Sequence, residues 1–208
     1  MPDSNDKFEF FCVEVDGKHP LGFAEIYNND HPVILEIGSG KGEFISVYSQ
    51  FYPQDNFLGI ELKQKRIVTI LKKLSIEKNH NVRLLRQYID DKITQIIPKD
   101  SISEIIINHP DPWPKRKHHK NRLIQHQFID AVNSILQIGG KLRISTDDPD
   151  YLKWICKIFD KRKDFISLYA GGYTMIIPED HLWTYFDDLH SKEGFEPAFM
   201  LYKKTEDI

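Results

Sequence analysis

The chain has 208 residues, of which 40% are hydrophobic and 28% charged, with a formal net charge of -3. That length supports one domain with a sizeable core, and the composition excludes a disordered, fibrous or membrane-embedded chain. A net negative charge excludes a grip on nucleic acid through global charge, so any such binding must come from a local patch.

In chain order, the acidic start MPDSNDKFEF lacks the cationic and apolar regions of a secretory signal, and no apolar run approaches the ~20 residues of a membrane span. A cytoplasmic protein with no membrane partner is expected. Residues 1–30 are weakly patterned and expected to be partly disordered, and residues 31–208 read as a single domain. Short apolar strands follow at PVILEIGSG, NFLGIEL, NVRLL, EIIINH and GKLRIST, with PAFMLYKK as a late strand. Helical periodicity fills Gly42–Phe51, Lys63–Lys78, Asp90–Ile97, Arg122–Leu136 and Pro149–Phe159. This alternation predicts an α/β fold, a doubly wound and mostly parallel sheet with helices on both faces. Such a sheet binds its ligand in the loops at the carboxyl ends of its strands. Cys12 and Cys156 have no CxxC spacing, so neither a disulfide framework nor a thiolate metal site is expected.

LEIGSGKGEF follows the first strand and opens a helix. Gly38, Gly40 and Gly42, with Ser39 among them, let backbone pass close to a ligand. Alone, this loop also fits a dinucleotide site or a tight structural turn. Glu36 is more informative: a carboxylate two residues before Gly38 would repel a pyrophosphate and attract a cation. Glu61 ends the second strand, where an acid commonly accepts hydrogen bonds from ribose hydroxyls. The two acids around the glycines resemble class I S-adenosylmethionine-dependent methyltransferases, whose cofactor carries an ammonium and a sulfonium. That resemblance implies Glu36, Gly38, Ser39, Gly40, Gly42 and Glu61 as cofactor-binding residues, in a seven-stranded Rossmann-like sheet.

After the fourth strand comes NHPDPWPKRKHHKNRL. Pro110, Pro112 and Pro114 forbid helix or central strand, since proline lacks a donor and biases its predecessor toward extended backbone. Lys115, Arg116, Lys117, Lys120 and Arg122 then crowd together in an otherwise acidic chain. Cations at a helix start oppose its macrodipole, which points to an external anion such as phosphate. Trp113 has two readings, stacking on a base or packing under the turn. His118 and His119 read as RNA-surface residues, and no metal site is expected.

This stretch closely resembles the signature of the bacterial tRNA (guanine-N(7))-methyltransferases, in which a Pro-Asp-Pro-Trp-Pro turn precedes a basic run. The resemblance implies Asp111 as catalytic and Lys115 as substrate-binding. RISTDD resembles the family's Thr-Asp element and implies Asp147 as a substrate contact; TYFDDLHSKEG resembles its Thr-x-Phe-Glu element and implies Thr184 and Asp187. The family usually places an Asp-Ala pair against the cofactor adenine, whereas LLRQYIDD puts Tyr88 and Ile89 there, with Asp90 one residue on. Tyr88 could stack on the adenine.

The implied activity is methyl transfer from S-adenosylmethionine to N(7) of a guanosine in the tRNA variable loop, position 46. Guanine N(7) has an in-plane lone pair and no proton, so alignment matters more than a general base. A carboxylate can accept hydrogen bonds from guanine's Watson–Crick donors, a role suited to Asp111 between its prolines. The alternative is a catalytically weak RNA-binding protein that retains the fold; methylation of a small molecule would leave Lys115 to Arg122 without a use. Monomer and homodimer are both open.

Overall fold

The computed structural model describes residues 4–179 and 196–206. Its strands are β1 (Cys12–Val13), β2 (Val33–Ile37), β3 (Asn56–Ile60), β4 (Val82–Leu85), β5 (Ile102–Asn108), β6 (Leu136–Thr146), β7 (Phe165–Ser167) and β8 (Ala198–Lys204). They form one sheet in the order β1-β4-β3-β2-β5-β6-β8-β7. The pairs from β1 to β6 are parallel, while β8 runs antiparallel to both β6 and β7. The expected mostly parallel sheet is therefore present, widened by the two-residue edge strand β1.

The helices are α1 (Ser4–Phe11), α2 (Phe23–Tyr27), α3 (Glu43–Phe51), α4 (Gln64–Lys73), α5 (His126–Ile135) and α6 (Pro149–Phe159). Successive strand residues face opposite sides. Accordingly Leu35, Leu58, Ile60, Ile105 and Ile107 join one buried cluster with α5 and α6 residues such as Phe128 and Ile155. Ile34, Phe57, Val82, Leu84 and Ile106 join a second with Ile45 of α3 and Ile70 of α4. Both faces of the central strands are covered, which explains their continuous rather than alternating hydrophobicity.

Helix lengths depart from periodicity where a side chain competes with the helix. The expected Lys63–Lys78 helix stops at Lys73, because buried Asn79 accepts from the Ser75 amide at 3.0 Å and donates to the Ser46 carbonyl at 2.9 Å. Asp90–Ile97 is a short 3-10 turn, Asp91–Gln95, capped by the Asp90 carboxylate on the Lys92 amide. The helix expected from Arg122 begins only at His126, with Arg122 itself in extended backbone.

The start of the chain corrects the expectation of partial disorder from Ser4 onward. Phe11 is fully buried among α3, α4 and β4 residues. Lys7 Nζ donates to the Leu74 carbonyl at 2.6 Å, and the Arg83 guanidinium lies 4.5 Å from the Phe10 ring and 5.3 Å from the Tyr27 ring. Phe11→Ala is expected to cost about 3–5 kcal/mol and to lower Tm by roughly 10 °C. A melting curve superposable on the parent's would show that this segment is not part of the folded unit.

Candidate active site

The chain leaves β2 toward β3 and β4 on one side and returns to β5 and β6 on the other. A crevice opens where neighbouring loops diverge in this way. A cleft of about 770 Å³ occupies that position. One wall includes Gly38, Gly40, Glu61, Arg66 and Tyr88; the other includes Asn108, Asp111, Trp113, Lys120 and Arg122.

The glycine loop is held by backbone bonds. Gly38 and Ser39 amides both donate to the Ile60 carbonyl, at 2.8 and 3.1 Å, and Gly42 donates to Ser39 at 2.8 Å. Gly42 must be glycine for two reasons: its φ is +76°, and a Cβ there would lie 2.8 Å from Ile70. Glu61 is buried at the end of β3 and locks the arrangement. Its carboxylate accepts from the Gly40 amide at 3.1 Å and the Lys63 amide at 2.8 Å, and pairs with Arg66 at 3.3 Å.

Glu36, on β2, is buried immediately before the cleft-lining Ile37 and Gly38. Its Oε2 has no hydrogen-bond partner among the described residues. Burial pushes its carboxyl up to about 7; the Ser39 hydroxyl opposes this, while Glu43 and Glu61 add to it. Tyr88 is 62% exposed at the cleft. Asp90, beside it, also lines the cleft but spends one oxygen on its cap to Lys92.

Across the cleft, the turn after β5 is bracketed by two non-glycine residues with positive φ, His109 and Trp113, each at +46°. Such backbone is strained and needs surrounding structure to hold it. The His109 amide donates to Ser145 of β6 at 3.0 Å, and its ring Nδ1 lies 3.3 Å from Asp147 Oδ1. Asp111 is exposed at the apex of the turn and faces the cleft. Trp113 is 37% exposed and meets His118 edge-on, so it neither packs wholly under the turn nor stands free.

The basic run divides. Lys115, Arg116, Lys117 and Lys120 are exposed, the last three on a 3-10 turn rather than at the start of an α-helix. Arg122 corrects the sequence reading of a surface cation: it is 3% exposed, its Nε donates to the Pro112 carbonyl at 2.8 Å, and its guanidinium lies over Tyr151 and Trp154. Asp147 is engaged with His109 and is not among the cleft-lining residues. Thr184 and Asp187 lie outside the described residues. Asn108 and Arg66 line the cleft without having been singled out in the sequence. Asn108 Oδ1 accepts from Ser145 at 3.2 Å while its Nδ2 is buried without a partner among the described residues. Its place directly ahead of the His-Pro-Asp turn was the available signal.

A parallel sheet whose topology reverses beside a glycine loop, with acids ending its first two long strands, defines a class I methyltransferase. A solved structure with the same fold, the 16S rRNA methyltransferase KamB, superposes with a TM-score of 0.62 at 12% identity, covering 88% of this chain and 93% of that one. A family model described as "Putative methyltransferase" matches residues 30–174. Among relatives, the tRNA (guanine-N(7)-)-methyltransferase of Buchnera aphidicola subsp. Baizongia pistaciae is 37% identical over 167 residues, 80% of this chain and 69% of the relative. The Nitrosococcus oceani protein of the same name is 31% identical over 191 residues, 92% of this chain and 79% of the relative. The chain belongs to the tRNA (guanine-N(7)-)-methyltransferase family and is an enzyme of that class.

The raised Glu36 carboxyl carries a stability consequence. Between its ordinary value of 4.5 and about 7 the unfolded chain has released this proton and the folded chain retains it. The contribution of Glu36 to stability is thus fully present below 4.5 and declines through that window, by on the order of 1 kcal/mol per pH unit. Glu36→Gln should flatten the decline in denaturant melts of the cofactor-free protein from pH 5 to 7.5; an unchanged slope would mean that Glu36 is ionised throughout.

Proposed function

We propose that this enzyme transfers a methyl group from S-adenosylmethionine to N(7) of a guanosine in the variable loop of tRNA, position 46. The observation that carries the reading is that one cleft holds both the glycine loop and Asp111, with Lys120 on its wall. The names of the relatives supply the substrate class. In the cleft and directly beneath its glycine loop, the residues fit the cofactor. Glu36 offers a buried acceptor oxygen without a partner among the described residues, complementary to an ammonium. Glu61 keeps lone pairs for a ribose hydroxyl. Tyr88 presents an exposed ring to an adenine. When bound, the cofactor supplies an electrophilic methyl group on a positively charged sulfur.

The chain's own residues then have a positioning task. Guanine N(7) is already nucleophilic, so holding it in line is worth several kcal/mol or more of barrier. Asp111 accepts from the Watson–Crick N–H groups of guanine, an edge that adenine does not present. As methylation proceeds, positive charge builds on the purine, and the Asp111 carboxylate stabilises it more than the neutral base. Trp113, partly exposed in the cleft lining, stacks on an unstacked base. Lys115, Arg116, Lys117 and Lys120 neutralise phosphates along the approach.

Incubation with bulk tRNA and methyl-labelled cofactor, followed by mapping of the modified base, tests the reading. Label is expected on N(7) of a variable-loop guanosine. Tight tRNA binding without label would instead favour an RNA-binding protein that has lost turnover. Asp111→Asn should lower kcat by about 10²–10³-fold with cofactor affinity intact; an unchanged kcat removes Asp111 from the mechanism. The double variant Lys117→Ala, Lys120→Ala should weaken tRNA binding and reduce its log–log salt slope by about 1–2. A parental slope would contradict phosphate contact at both positions.

A further inference from the structure

We infer that Arg122 is a positioning residue, fixing the Pro112 peptide and through it the Asp111 carboxylate, while its remaining buried donor is held for a phosphate of the bound RNA. The inference rests on the role proposed for Asp111. Its starting point is that the turn cannot hold itself: His109 and Trp113 both have φ of +46°, and Pro110, Pro112 and Pro114 contribute no backbone donors. Arg122 supplies a tether from outside the turn, with Nε donating to the Pro112 carbonyl at 2.8 Å.

Arg122 is in turn immobilised by α6. Its guanidinium carbon lies 4.9 Å from the centre of the Tyr151 ring and 5.2 Å from that of Trp154. The same two side chains hold the backbone two residues on: the Tyr151 hydroxyl accepts from the Ile124 amide at 3.0 Å, and Trp154 Nε1 donates to the Ile124 carbonyl at 2.8 Å. Gln125 Nε2 ties down the His119 and Arg122 carbonyls at 2.8 and 3.2 Å. The segment from Arg122 to Gln125 is thereby a rigid mount on α6, with the guanidinium reaching from it to the turn.

The fork is incompletely used. Nη2 is buried and has no partner among the described residues, although Arg122 lines the cleft beside Lys120 and Asn121. A buried cationic donor without an acceptor is costly unless an acceptor arrives with the ligand. In this cleft the substrate brings phosphodiester oxygens, which match a guanidinium N–H in charge and geometry. Arrival of RNA would then complete the site of the residue that sets Asp111. Lysine cannot replace it, because it has neither the planar face for Tyr151 and Trp154 nor the fork that serves carbonyl and phosphate together.

Three variants test this with the full chain, tRNA and cofactor. Arg122→Lys should lower kcat at least tenfold while leaving cofactor Kd within twofold. Arg122→Met should show the same loss of kcat and reduce the log–log salt slope of tRNA binding by about 1. Trp154→Leu, which is not among the cleft-lining residues, should also lower kcat severalfold without altering cofactor Kd. A parental kcat in Arg122→Lys, or a parental salt slope in Arg122→Met, overturns the inference. If neither Arg122 variant folds, Trp154→Leu decides, and a parental kcat there refutes it. Asp111→Asn separates the two levels: impaired turnover there with normal Arg122→Lys refutes only this inference, whereas parental turnover in Asp111→Asn removes the role on which it rests.

Discussion

Proline's lack of an amide hydrogen governs this molecule's chemistry. After β5 the chain could have entered a helix within a few residues, as it does after β2 and β3. Pro110, Pro112 and Pro114 prevent that and leave an irregular turn at the place where a doubly wound sheet opens its crevice. A turn that cannot bond to itself must be secured by others. Ser145 holds His109 from the neighbouring strand, and Arg122 holds Pro112 from the far side. Between these attachments Asp111 is exposed and lines the same cleft as the glycine loop.

The charge distribution follows the same division of labour. The glycine-loop wall is acidic, with Glu36 buried beneath the loop and Glu61 spanning Gly40, Lys63 and Arg66. The other side of the cleft leads onto exposed Lys115, Arg116, Lys117 and Lys120. An overall net charge of -3 keeps attraction for nucleic acid from spreading over the whole surface, so that it concentrates beside the crevice.

Much of this was legible in the sequence because it depends on local chemistry. Buried parallel strands read as continuous apolar runs, the glycines and acids stand at fixed offsets from strand ends, and three alternate prolines admit few conformations. What escaped depended on distant partners. Arg122 looked like one more surface cation, since its immediate neighbours are basic. Its burial is created by Tyr151 and Trp154, which approach through the packing of α6. The first 30 residues looked weakly patterned because Phe11 is buried by residues of α3, α4 and β4, partners far along the chain. The helix expected to continue to Lys78 was cut short by Asn79, whose competing hydrogen bonds reach back to Ser46 and Ser49.

The central claim is spatial: a guanine fits between the glycine loop and Asp111 with N(7) directed at the methyl donor. A crystal structure with S-adenosylhomocysteine and a substrate tRNA measures this directly. The account predicts an extruded guanine whose N1–H and amino group lie about 3 Å from Asp111, with N(7) pointing toward the sulfur. A guanine bound with its Watson–Crick edge away from Asp111, or a sulfur on the far side of the glycine loop from the turn, would contradict it.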